Sequence, residues 1–135
     1  MSESGEPLRE NLLRRYPSSR LQQITLSPED RERTLPADYV AFLASVGSGS
    51  IGDGRYMFYA GPLDPDEVLE SEVAVRLHDV FIVGDNFAGD FLAYAFRQGV
   101  WTLFEIDHTS PAIIEPGHWK DIFEFVEERF LRHQS

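Results

Sequence analysis

Residues Phe91 to Phe96 read Phe-Leu-Ala-Tyr-Ala-Phe, a run that is apolar whichever way its side chains point. Laid out as a strand, Leu92, Tyr94 and Phe96 face one side and Phe91, Ala93 and Ala95 the other. Both sides need cover, so this strand has to lie inside a sheet with further structure packed on it. The small residues on the Phe91–Ala93–Ala95 side mark where a helix is expected to press. Arg97-Gln98-Gly99 separates the run from Val100–Ile106 (VWTLFEI), which predicts an antiparallel hairpin. Val80–Val83 (VFIV) is a shorter apolar strand, and Arg55–Ala60 (RYMFYA) an aromatic one that Gly61-Pro62 should end.

The flanks have a different period. Leu8, Leu12 and Tyr16 recur every four residues after Pro7, and Pro17 closes that helix. Ser27-Pro28-Glu29-Asp30 has the form of a capped helical turn. Pro36 opens a stronger helix in which Tyr39, Phe42, Leu43 and Val46 make one apolar stripe and Gly47 is placed to stop it. Asp64 to Leu69 suits one more helical turn. From about His118 to Arg132, Trp119, Ile122, Phe123, Val126 and Phe130 line one side of a last helix. Helices, then strands, then a helix is an α+β order. A chain of 135 residues can bury roughly two-thirds of its unfolded surface, enough for one domain without staples. Residues 1–25 form a lead-in and helix, packed as one unit with a single domain over residues 26–135.

Several chemistries are disfavoured. There is no cysteine, hence no disulfide, thiolate zinc site, iron–sulfur cluster or cysteine nucleophile. The first ten residues are acidic and polar, unlike a signal peptide, and no apolar run approaches the ~20 residues of a membrane span. A cytoplasmic location is therefore expected. The chain carries 23 acidic and 12 basic residues, net −11. Residues 1–35 balance, so the excess lies in residues 36–135. Such a field repels nucleic acid and speeds encounter with a basic protein.

Gly47-Ser48-Gly49-Ser50-Ile51-Gly52 matches G-x-G-x-x-G, but it leaves a helix, whereas dinucleotide binding needs a loop that leaves a strand and opens a helix. A helix stop with a sharp turn into the sheet is the better reading. Gly84-Asp85-Asn86-Phe87-Ala88-Gly89-Asp90 lacks the D-x-D-x-D spacing of a calcium loop. It reads as a turn that could present Phe87 between the carboxylates of Asp85 and Asp90 to a partner. Asp107-His108 with His118 ten residues later makes a weak case for a metal, and no metal or cofactor is expected. No nucleophile, base and oxyanion hole come together, so no catalytic residue is nominated.

Leu35-Pro36-Ala37-Asp38-Tyr39-Val40-Ala41-Phe42-Leu43, then Gly47-Ser48-Gly49, Val80 to Asp85, Gly89-Asp90-Phe91, Val100 to His108 and the closing helix around Phe123 and Val126 follow one another in an order that resembles the SUKH superfamily. The likeness covers about residues 26–131. That family includes bacterial immunity proteins and a yeast cell-wall-synthesis regulator. The resemblance implies an α+β fold with a bent, mostly antiparallel sheet, N-terminal helices and a C-terminal helix, and it implies binding without catalysis. The expectation is an immunity protein that neutralises a cognate toxin domain, such as a nuclease, through acidic residues. Asp53, Asp66, Glu67, Asp85 and Asp90, with Phe87, are the candidate contacts to a basic partner. A regulatory scaffold without a toxin is the alternative, and an enzyme is the third.

Overall fold

The computed structural model describes residues 5–26, 35–52, 54–67, 80–97, 99–107 and 119–132. Helix α1 spans Gly5–Arg15 and buries Leu8 and Leu12. Strand β1 (Arg20–Gln22) and helix α2 (Ala37–Ser45) follow. Strands β2 (Ser48–Ile51), β3 (Tyr56–Leu63), β4 (Val80–Asp85), β5 (Asp90–Arg97) and β6 (Val100–Asp107) come next. A short 3-10 turn, Pro65–Glu67, follows β3. Helix α3 (Ile122–Val126) closes the chain and runs on as a π-helical stretch, Glu127–Arg132. The capped turn expected at Ser27–Asp30 lies outside the described residues.

The six strands form one antiparallel sheet in chain order, β1 to β6. With helices at the start and the end, the fold is α+β. Arg97 pairs with Val100, which leaves the two-residue connection implied by Arg97-Gln98-Gly99. At the opposite edge, Arg9 of α1 reaches across and its guanidinium donates to Leu21 O (3.0 Å) and Val46 O (2.8 Å). One side chain thus blunts the exposed edge of β1 and caps the end of α2.

Two local expectations need correction. Ser48–Ile51, expected as a turn, is strand β2. Its glycine explains why: Gly49 has φ +128°, and a Cβ there would sit 1.8 Å from Arg20 O, so β1 and β2 approach where no side chain fits. Gly47 (φ +115°) does stop α2, with its N–H donating to Phe42 O. The glycines that mimic a nucleotide fingerprint are thereby used by the backbone. Second, Gly61-Pro62 does not end β3, which continues to Leu63 across a register shift between Phe58 and Leu63. An irregularity of this kind is where a strand tolerates proline.

The described helices pack on the Leu92–Tyr94 face of β5, while Ala93 and Ala95 on its other face are equally buried. Leu92, Tyr94 and Leu103 belong to the main core with Leu8, Leu12, Tyr39, Phe42, Phe123 and Val126. Ala93 and Ala95 belong to a second cluster with Val80, Ile82, Phe104 and Ile106. The alanines make room within the sheet, since Ala93 lies directly opposite Phe104.

The closing helix begins after Asp121, later than expected, so Trp119 precedes it. Asp121 accepts from Glu124 N (2.9 Å), and Glu124 reaches back to accept from Lys120 N (2.8 Å). The pair resembles a capping box, except that the return bond lands on the amide before the N-cap Asp121. Asp38, in the first turn of α2, accepts from both Ile122 N (2.9 Å) and Tyr94 OH (2.5 Å). One carboxylate therefore ties α2, α3 and β5 together. Tyr16 OH donates to Phe130 O (2.8 Å), fixing the end of α1 to the end of the chain.

Candidate functional site

The β4–β5 turn is built from its own polar side chains. Asp85 Oδ1 accepts from Phe87 N (2.8 Å) and Asp85 Oδ2 from Tyr59 OH (2.5 Å). Asn86 Oδ1 accepts from Ala88 N (2.8 Å) and Asp90 N (3.1 Å), while Asn86 Nδ2 donates to Asp90 Oδ2 (3.0 Å). These bonds supply the backbone partners that a turn otherwise lacks. They also force Phe87 into the left-handed region, φ +65°, with the residue 56% exposed. A bulky residue there costs on the order of 1 kcal/mol. Tyr59 has its pKa raised, first by burial and then by its hydrogen bond to Asp85 and the charge of that carboxylate.

The candidate residues that are described fall in two turns. Asp85, Phe87 and Asp90 share the β4–β5 turn. Glu67 is exposed and its carboxylate accepts from Asp64 N (2.8 Å), which completes the 3-10 turn after β3. Met57, near the start of β3, pairs with Asp85, whereas Leu63 at its far end pairs with Ile82. Glu67 follows the Leu63 end of β3, whose partner Ile82 lies three residues, roughly 10 Å of strand, from Asp85. Asp66 lies in the same 3-10 turn, with its side chain outside the described residues. Asp53 is also outside them, as are His78, His108 and His118. Among the described residues, no three His, Cys, Asp or Glu side chains are grouped to hold a metal ion.

Other surface features were not nominated from the sequence. At the far end of β5, Phe96 (48% exposed) and Val100 (60%) flank the hairpin turn. Phe96 leans on Trp101 at 4.9 Å between ring centroids, and Trp101 stacks on Phe81 at 5.8 Å. The signal was available: apolar residues directly beside a two-residue turn stand beyond the reach of the core. Glu105 on β6 takes a bidentate pair from Arg129 (2.7 and 3.1 Å), whose guanidinium also lies 5.0 Å from the Phe125 ring. Tyr56 OH donates to the same carboxylate (3.2 Å). This pair fastens the closing helix to the sheet. An open cleft of about 410 Å³ runs between α1 and the chain's end, lined by Asn11, Arg14, Arg15 and Leu131. Its arginines could meet an anion, and the lining among the described residues includes no carboxylate or histidine.

No helix among the described residues is long and apolar enough to cross a membrane. Comparison of the chain with protein-family models, curated proteins and solved structures finds no match.

Proposed function

We propose that this chain is a non-catalytic binding domain of the SUKH type, acting in the cytoplasm as an antidote that covers a basic toxin domain. The observation that carries the reading is the acidic surplus, net −11, concentrated in residues 36–135. A nuclease domain must present cationic surface to hold phosphate, and that surface is what an acidic inhibitor can occlude. The β4–β5 turn supports the reading, because Asp85 and Asp90 bring negative charge beside an exposed aromatic ring. A buried anchor with a charged rim is the usual anatomy of a tight interface.

The test is co-expression with toxin domains encoded beside this gene, followed by binding measurements on the purified pair. Rescue of growth and an association rate that falls about tenfold or more as salt is raised are expected. Absence of binding to each of those domains refutes the antidote role. The scaffold alternative draws on the apolar surface at Phe96 and Val100, which needs no basic partner. It predicts binding that changes little with salt.

A further inference from the structure

Phe87 occupies a backbone conformation that glycine or asparagine would adopt freely, and it is the tip of its turn. More than half of the residue is exposed, so burial within the chain does little to offset the conformational cost. The turn nevertheless holds it there through the Asp85 carboxylate, which is itself held from β3 by Tyr59. A strained, well-fixed, exposed aromatic residue is what a preformed anchor looks like, since strain without local return gathers where a surface has to be presented. We infer that Phe87 enters an apolar pocket on a basic protein partner, with Asp85 and Asp90 meeting cationic residues at the pocket's rim, and that Tyr59 is a positioning residue that sets the anchor's direction. This rests on the protein-binding reading above and adds to it the anchor and the chemistry of what receives it.

Photo-crosslinking in the cell that makes the protein tests this in the full chain. Benzoylphenylalanine is placed at position 87 and, as a control, at Val40, which is 40% exposed on α2. The expected result is an adduct with one basic protein from position 87 and none from position 40. That protein, purified, should bind the wild-type chain and lose about thirtyfold or more in affinity to Phe87→Asn. The same variant should melt no lower than wild type, and by a few degrees higher, because asparagine tolerates the left-handed region. Tyr59→Phe should weaken binding about tenfold in the wild-type background and have no effect once residue 87 is asparagine, a non-additivity that a merely structural role does not produce.

An adduct from position 40 alone overturns the anchor and leaves the antidote reading standing. No adduct from either position overturns the anchor, as does a Phe87→Asn variant that binds like wild type or melts lower. An adduct from position 87 with a basic protein that is not a toxin, followed by the expected loss of affinity, supports the anchor and refutes the antidote role.

Discussion

Strand β5 enters from one turn and leaves by another, and each turn exposes a phenylalanine on different terms. Phe96 leans on Trp101, which contacts Phe81 and meets Tyr94 edge-on at 6.2 Å, so its exposed ring belongs to an aromatic stack rooted in the core. Phe87 stands at φ +65° on a frame of carboxylate and amide hydrogen bonds. Behind each turn lies a tyrosine that donates to an aspartate at 2.5 Å: Tyr94 to Asp38, and Tyr59 to Asp85. The first pair sits in the main core and joins three elements. The second is half-buried and ties the turn to β3. Similar exposure therefore has two meanings, one an outcrop of the core and the other a presented side chain.

High pH sharpens the contrast most. Tyr94 has its pKa raised well above 10, by burial and then by Asp38, and Tyr56 likewise by burial and then by Glu105. The folded values exceed the unfolded one, so the stabilisation is complete below pH 10 and is lost as pH rises from there toward the folded values. Between pH 10 and the folded values, each of these two tyrosines should remove about 1.4 kcal/mol per pH unit. Urea midpoints measured against pH, with tyrosinate absorbance followed in parallel, should show ionisation and unfolding together.

Asp38→Ala comes next, at about 3 kcal/mol, since it strands Tyr94 OH and the first amide of α3. Asp85→Ala should cost about 1 kcal/mol, because water can reach the groups it leaves. Equal losses in denaturant melts would erase the distinction between the two pairs. Trp101→Ala should cost about 2 kcal/mol, as the ring that roots the outcrop is lost. The smallest effect has the opposite sign: Phe87→Asn should stabilise by about 0.5 kcal/mol, measured by calorimetry.

Much of this architecture could be read from periodicity. The stripe Tyr39–Phe42–Leu43, the strands around Phe91–Phe96 and Val100–Ile106, and their hairpin all lie where the pattern places them. What could not be read depends on distance in space. Gly49 looks like a loop residue until Arg20 O is brought against it. Ala93 likewise shows only a small residue until Phe104 is brought opposite it across the strand. The candidate site was readable only in part. The spacing of Asp85, Phe87 and Asp90 sufficed to place them in one turn, but nothing along the chain tells that the end of β3 before Glu67 pairs with Ile82 or that Tyr59 reaches Asp85.

Strand order that copies chain order has a consequence for how the molecule comes together. Each strand after the first can zip onto the one made just before it, so most pairing within the sheet needs only short loops to close. The cover over its main face obeys no such sequence. Helix α1, present from the outset, is latched by Phe130, 114 positions after Tyr16. During synthesis the sheet can assemble early while Leu8 and Leu12 still lack Phe130 and the closing helix, so the nascent chain holds a sticky half-built core until its last turn emerges.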